Sequence, residues 1–379
     1  MRNSRRSQVD PFIVMDVMEA ARQAEAAGRH IIHMEVGQPG TPAPLGAQQA
    51  VAARMGRDPM GYTVALGLPE LRARIARLYK DWYNLDLDPA RVIVTSGSSG
   101  AFLLAFNALF DSGDHVGIGA PGYPSYRHIL TALGLTPVMI DAAAENRLQP
   151  VPGDLPGDLA GVMVASPANP TGTMLDRAAL TALIEAAQGQ GTAFISDELY
   201  HGLEYERKAV SALEISDDVY VINSFSKYFS MTGWRIGWMV VPEDHIRTVE
   251  RLAQNMFICA PHVSQVAALA AMECDEELRG NLDVYRENRR LLIDGLPGAG
   301  FDKFAPPDGA FYVYADVSEL TQDSRGFAAE ILAEAGVAVT PGLDFDAKRG
   351  AGTLRFSYAR STEDMVEGLA RLRDFMQRR

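Results

Sequence analysis

The sequence predicts an α/β protein with a mostly parallel sheet covered by helices on both faces, accompanied by a smaller α+β domain. Three observations lead there. Between residues 92 and 241, short apolar runs alternate with helix-period segments. Those runs are continuously apolar rather than alternating, as strands buried on both faces must be. Beyond residue 263 the pattern changes to long helices separated by isolated strands. The length of 379 residues, at about 150 residues per domain, gives two domains and ample material for a core.

Taken in order, strands are expected at Val92–Thr95, His115–Gly119, Thr136–Ile140, Gly161–Ala165, Ala193–Ser196, Tyr220–Asn223 and Arg235–Val241. Helix-period segments lie between several of them, at Ala101–Phe110, Ser125–Leu133 and Arg177–Gln188. Strand, helix, strand at this spacing is the crossover unit of a parallel sheet. From Val263 one long helical stretch runs through Leu291-Leu292 to a break at Pro297-Gly298. After it come a strand (Ala310–Ala315), a helix (Ser324–Ala335), a strand (Gly352–Ser357) and a last helix from Ser361. Ser361-Thr362-Glu363-Asp364 supplies that helix with a capping oxygen and an acidic first turn. Gly37–Pro44, rich in glycine and proline, reads as a connection between domains. Residues 41–276 are therefore assigned to a large domain, and residues 1–40 with 277–379 to a small domain with an N-terminal arm.

Apolar residues at 47% and charged residues at 22% are ordinary for a globular chain and exclude disordered, collagenous and coiled-coil classes. Thirty-five basic against 48 acidic residues leave a net charge of −13, which argues against nucleic acid or an anionic membrane as partner. No apolar run approaches the roughly 18 residues of a membrane span. Cys259 and Cys274, the only cysteines, cannot build a disulfide framework, so a reducing, cytoplasmic location is expected. Met1 to Asp10 is basic with no apolar segment behind it, and reads as an arm rather than a secretory signal.

Gly117-Ile118-Gly119-Ala120-Pro121-Gly122 matches a dinucleotide-binding pattern, with Asp141 further on. Its glycines fall within and just after a strand, however, and Pro121 and Pro124 interrupt the turn where amides would face a pyrophosphate. No Gly-Lys dipeptide exists for a Walker loop, and His30-Ile31-Ile32-His33 lacks the zinc-helix spacing, so no metal is expected. A better site lies in the loops. Thr95-Ser96-Gly97-Ser98-Ser99-Gly100 follows a strand and opens a helix, where glycines admit a ligand and free amides favour an anion. Ser166–Gly172, Asp197–Tyr200 and Asn223–Lys227 each follow a strand end, and Gly233–Gly237 begins the next. Because ligands bind at the carboxyl edge of an open parallel sheet, these groups should converge in one crevice.

The segments SPANPTG (166–172), SDELY (196–200) and SFSKYFSMTGWRIGW (224–238) resemble those of class I/II aminotransferases, the aspartate aminotransferase-like, fold-type I pyridoxal-5′-phosphate enzymes. The resemblance extends from Val36-Gly37-Gln38-Pro39 to Leu354-Arg355-Phe356-Ser357. It implies that Lys227 forms the Schiff base with the cofactor and moves the substrate's α-proton. Asp197 would keep the pyridine nitrogen protonated, Asn169 and Tyr200 would hydrogen-bond the phenolic oxygen, and Tyr123 would stack on the ring. Gly97, Ser98, Ser99, Ser224, Ser226 and Arg235 would surround the phosphate. Tyr62 would reach the phosphate of the other subunit, which implies a homodimer with shared sites. Arg355 would clamp the substrate's α-carboxylate bidentately, with Gly37 offering a backbone contact and Asn169 nearby.

The resemblance implies transfer of an amino group from an L-amino acid to a 2-oxo acid, with 2-oxoglutarate the default acceptor. No second arginine is identifiable for a side-chain carboxylate. Arg127 and His128 read as surface charges, while Ile13, Val14 and Met15 lie where relatives place a segment over the substrate and would tolerate uncharged side chains. Trp234 and Trp238 read as packing, and His201 could face either way. One alternative keeps the fold and cofactor but performs C–S β-elimination. A sensor fused to a DNA-binding domain would be expected to show a winged-helix segment ahead of Gly37, where this sequence has 36 residues. An NAD-dependent oxidoreductase is the most distant alternative, resting on the glycine pattern alone.

Overall fold

The apolar runs pair into one seven-stranded sheet. In the computed structural model, which describes residues 1–379, a short strand β1 (Ile32–His33) precedes β2 (Val92–Thr95), β3 (His115–Ala120), β4 (Thr136–Asp141), β5 (Gly161–Ala165), β6 (Ala193–Asp197), β7 (Tyr220–Ser224) and β8 (Gly237–Val240). The sheet order is β2-β8-β7-β6-β5-β3-β4. Strand β8 alone runs against the rest, antiparallel to both β7 and β2.

Helices α1 (Ile13–Ala26), α2 (Leu45–Met55), α3 (Pro69–Tyr83), α4 (Gly97–Leu109), α5 (Pro124–Leu133), α6 (Arg177–Gly189), α7 (Ile246–Met256) and α8 (His262–Ala271) accompany this part of the chain. The strands feed two cores by their two-residue period. Val162, Val164, Val221 and Val240 pack on one face with Leu183 and Ile184 of α6 and Leu71 and Ile75 of α3. Met163, Ile195, Ile222 and Met239 pack on the other with Phe102 and Phe106 of α4 and Leu130 of α5.

After α9 (Asp275–Gly295), strands β9 (Lys303–Phe304), β10 (Tyr312–Asp316), β11 (Val337–Ala338), β12 (Thr340–Pro341) and β13 (Thr353–Ser357) alternate with α10 (Ser324–Ala335) and α11 (Thr362–Arg378). An antiparallel sheet of order β12-β13-β10-β9 forms, and β11 pairs in parallel with β1. A third core, including Phe301, Phe327, Phe356, Leu372 and Phe375, holds it to α9, α10 and α11. Gly37–Pro44 is non-helical and joins β1 to α2.

Several boundaries differ from the sequence reading. Helix α4 starts at Gly97 rather than Ala101, because Gly97 adopts φ +71° and turns the chain straight from β2 into the helix. The long stretch after Val263 is two helices: α8 ends at Ala271, and Asp275-Glu276-Glu277 put three carboxylates in the first turn of α9, where the helix dipole favours them. Strand β8 begins at Gly237, since Thr232–Trp234 form a 3₁₀ turn and Arg235 holds φ +51°. Helices α1, α2, α3 and α7 are additional to those the sequence pattern predicts. The final helix starts as expected, with Ser361 Oγ accepting from the Asp364 amide.

Candidate active site

The direction of β8 builds the site. Its amino end lies against the carboxyl ends of its two neighbours, with Gly237 opposite Thr95 of β2 and Ser224 of β7. Further along, Asp197 pairs with Ile222 on one side and with Ala165 on the other. The loops after β2, β5, β6 and β7 and the turn before β8 therefore emerge on one edge. There they line a cavity of about 180 Å³ with Ser98, Ser99, Asn169, Tyr200, Ser226, Lys227 and Arg235. Gly37, Tyr123 and Arg355 complete its wall.

Lys227 Nζ donates to the Gly37 carbonyl at 2.6 Å. Burial, helped by the positive charges of Arg355 and Arg235, lowers its pKa to about 7, against a smaller opposing pull from Asp197. Asp197 ends β6, buried, and its carboxylate accepts from the Tyr126 hydroxyl and from the Leu199 amide at 3.0 Å. Burial pushes its pKa up to about 6. The Tyr200 hydroxyl shares a hydrogen bond of 2.7 Å with that of Tyr312.

Arg355 lies on β13, only 3% exposed. Its guanidinium is sandwiched between the rings of Tyr312 (4.4 Å to the centroid) and Phe345 (4.7 Å). Nη1 donates to Asn169 Oδ1 at 2.8 Å, and Nη2 donates to the Glu35 carbonyl at 2.5 Å and Thr340 Oγ1 at 3.3 Å. Its Nε has no partner.

On the opposite side, α4 presents its N-terminus without a side-chain cap from Ser96, so first-turn amides remain available to an anion. A Cβ on Gly97 would lie 2.5 Å from Arg235 Nη2, so only glycine lets that guanidinium approach the helix start. Arg235 donates to the Thr232 carbonyl through Nη1.

Ten of the sequence-predicted site residues line the cavity. Asp197 lies behind Tyr126, and Gly97 lies beneath the Arg235 guanidinium. Ser224 is brought close but not into the wall: its buried hydroxyl donates to the Ile236 carbonyl and shares a hydrogen bond with the Ser226 hydroxyl. Tyr62 does not line this chain's cavity and is 83% exposed. Of the segment 13–15, Val14 and Met15 face the cavity and Ile13 does not, whereas Phe12 and Met18 do. Arg127 donates to the Asp344 carbonyl, and neither it nor His128 lines the cavity. Trp238 is core, as expected, with Nε1 donating to the Tyr79 hydroxyl. His201 faces inward, bonded to the Ser166 carbonyl at 2.8 Å and the Tyr83 hydroxyl at 2.6 Å.

Sequence reasoning missed Tyr312, Tyr126 and Thr232. Tyr312 enters through the pairing of β10 with β13, which no local motif announces. The three-residue spacing of Phe12, Met15 and Met18 was a readable helical stripe. Two glycines of the 117–122 pattern serve close packing, since a Cβ on Gly117 would meet Leu159 and Ile140 and one on Gly122 would meet the Gly119 carbonyl, and the Gly122 amide donates to the Phe345 carbonyl. Three larger clefts, about 480 Å³ beside Trp82, about 720 Å³ beside Tyr314 and about 380 Å³ between α1 and α10, gather no such set of groups. No group of three or more His, Cys, Asp or Glu side chains is placed to hold a metal ion, and no helix is long and apolar enough to cross a membrane.

Comparison with known proteins agrees with this geometry. The chain is 46% identical over 374 residues to the valine–pyruvate aminotransferase of Mycobacterium tuberculosis, covering 97% of this chain and 96% of the relative. It is 36% identical to the (5-formylfuran-3-yl)methyl phosphate transaminase of Methanocaldococcus jannaschii, over the whole of both chains. A crystal structure of an aminotransferase from Mycobacterium tuberculosis superposes with a TM-score of 0.97 at 44% identity, covering 100% of both chains. Thermus thermophilus aspartate aminotransferase with maleate superposes at 0.91 with 31% identity, covering 99% of this chain and 100% of the other. The family model of aminotransferase class I and II matches residues 29–372, and the chain belongs to that family.

Proposed function

We propose that this aminotransferase uses pyridoxal 5′-phosphate and takes its amino group from an α-amino acid with an uncharged, apolar side chain. The observation that carries the reading is Lys227, a buried amine that donates to the Gly37 carbonyl in a cavity also lined by Arg235 and Arg355, with the buried Asp197 carboxylate behind Tyr126 and burial lowering the amine to about neutrality.

The donor set fits the cofactor. Free amides at the start of α4, Ser98, Ser99, Ser226 and Arg235 suit a phosphate, with Ser224 bracing Ser226. Asp197 suits a ring nitrogen that must stay protonated, and a cation beside it would draw its pKa back down. Asn169 and Tyr200 suit a phenolic oxygen, and Tyr123 a ring face. When bound, the cofactor supplies an aldehyde that holds amines and an electron sink for the carbanion. The chain's residues do the rest. Lys227 would hold the aldehyde carbon and then carry the proton at the substrate's Cα, for which a pKa near neutrality is matched. Arg355 would fix the α-carboxylate, orienting the Cα–H bond.

Substrate class follows from charge and wall. The only cations lining the cavity are Lys227, Arg235 and Arg355, and each has a role above. This chain's own wall leaves no cation for a second carboxylate, while Phe12, Val14, Met15, Met18 and Val36 offer an apolar surface. A small apolar oxo acid such as pyruvate suits this wall as acceptor, and 2-oxoglutarate remains the comparison. The named activity of the 46% identical relative supports the same class. The exposure of Tyr62 and Val64 supports a homodimer that covers them; a division near residues 41 and 277 has partial support from the cores, since Tyr200 and Leu203 pack in the small-domain core, Leu278 packs in the large-domain core, and α9 runs across the second boundary.

The test is the absorption spectrum of the protein with added pyridoxal phosphate, before and after single amino acids without an oxo acid. A lysine-linked cofactor band that valine or leucine converts to the pyridoxamine form is expected, with aspartate much slower. Conversion only by acidic amino acids would overturn the substrate class, and bleaching with pyruvate release from a cysteine conjugate would favour β-elimination. Lys227→Ala should remove the band and all turnover while leaving a folded protein; retained transamination would refute the assignment.

A further inference from the structure

Helix α1 forms the outer wall of the cavity, yet little apolar packing holds it. Of its 14 residues only Val14 and Ala21 are buried, and Ala21 belongs to a cluster of four with Ile31, Leu332 and Ala338. Its N-cap residue, Phe12, offers no side-chain oxygen to the first amides. One carboxylate from the far end of the chain takes them instead. Ile13 N–H donates to Asp344 Oδ1 and Val14 N–H to Oδ2, each at 3.1 Å. Asp344 is fully buried. Its carboxylate satisfies two amides that would otherwise be unpaired and meets the positive end of the helix dipole.

The same segment touches the catalytic machinery. Asp344 ends a 3₁₀ turn directly after β12, whose Thr340 pairs with Arg355. The next residue, Phe345, stacks on the Arg355 guanidinium, and its carbonyl accepts the Gly122 amide, one residue before Tyr123. Phe12 in turn meets the Tyr123 ring edge to face at 5.8 Å.

We propose that Asp344 is a positioning residue for substrate selection: its carboxylate seats the start of α1 so that Phe12, Val14, Met15 and Met18 close over the side chain of the amino acid whose carboxylate Arg355 holds. This rests on the reading of the cavity as an amino-acid site. The wall around the side chain and the clamp on the carboxylate are then set by one pair of consecutive residues, Asp344 and Phe345. If the wall is seated for a smaller fraction of the time, apparent affinity falls by that fraction. The loss is greatest for donors with most surface against the wall and least for alanine, whose methyl group has little to place there.

The test is steady-state kinetics of the holoenzyme with valine, leucine and alanine as donors, for Asp344→Ala, Asp344→Asn and Ile13→Pro. Ile13→Pro removes one amide donor without touching Asp344. Proline is tolerated at the first helical position, and Phe12 already has the extended conformation a following proline requires. For Asp344→Ala, KM for valine and leucine is expected to rise on the order of ten-fold, as loss of a helix cap implies. The other two variants should show smaller rises. kcat should stay within about two-fold and alanine KM should move less, the pattern of lost ground-state positioning. The cofactor band should persist, and amide exchange should quicken in residues 13–26 alone. An unchanged valine KM in Asp344→Ala, or equal rises for valine and alanine, would overturn the proposal. If Asp344→Ala does not fold, Ile13→Pro decides on the same readout. A wild-type enzyme that transaminates no amino acid would instead refute the reading on which the proposal rests.

Discussion

Gly97→Ala separates the two jobs of one glycine. Gly97 has φ +71°, where a side chain costs about 1–2 kcal/mol, and that cost falls equally on the empty and the cofactor-bound enzyme. It should therefore appear as a drop of a few degrees in Tm and not in affinity. The added Cβ would also lie 2.5 Å from Arg235 Nη2 and 3.0 Å from its Cζ. The guanidinium has to move, and with it the charge-assisted contact that the proposed phosphate site would make, worth about 1.5–3 kcal/mol. At about 1.4 kcal/mol per decade, affinity for pyridoxal phosphate should fall on the order of 10- to 100-fold. Absorbance titration of the cofactor-free protein with pyridoxal phosphate measures it. In an Arg235→Ala background the same glycine substitution should leave affinity unchanged while still lowering Tm, the signature of an effect exerted through one partner. Full affinity in Gly97→Ala would show that Arg235 is not part of the phosphate site.

Two further expectations concern Arg355 in the wall and His33 outside it. Arg355→Ala should raise KM for amino acids at least about 100-fold and leave cofactor affinity unchanged, because it removes the carboxylate clamp and deprives Asn169 Oδ1 and the Glu35 carbonyl of a buried donor; an unchanged KM would refute the clamp. His33, hydrogen-bonded to the Glu35 carboxylate and also to Glu25, has its pKa raised to about 9 against the opposing effect of burial. Its native-state pKa lies above the unfolded value of 6.5, so its stabilisation is complete below pH 6.5 and is lost as pH rises through 9. Melting curves of His33→Gln should match the wild type at pH 9.5 and fall below it at pH 6; equal deficits at both would show that the proton is not involved.

How much of this was legible from residues depends on how far apart the cooperating groups lie in the chain. The run Ser224–Gly237 carries Ser226, Lys227 and Arg235 within one short segment, so their meeting in one cavity could be read directly. Asp197 and Tyr200 sit in another such segment, and each loop follows a strand whose continuous apolarity marks it as buried on both faces. Tyr312 gave no such signal. It reaches Tyr200 and Arg355 only because β10 pairs with β13 at a particular register. Asp344 was equally silent, since its partners are backbone amides 330 residues away.

The sequence by itself determined the alternation of strands and helices, the loops that meet at one sheet edge, and the residue types that line the cavity there. These are matters of local periodicity, turn chemistry and functional groups, all written within a few residues of one another. Tertiary structure alone decided that β8 runs backwards, bringing Arg235 to the carboxyl edge beside Gly97 and Ser224. It alone placed Arg355 between two rings and laid α1 across the cavity mouth on a carboxylate from the other end of the chain. Strand direction, register and helix docking are set by the sum of many weak contacts between distant segments, and no window of sequence contains that sum.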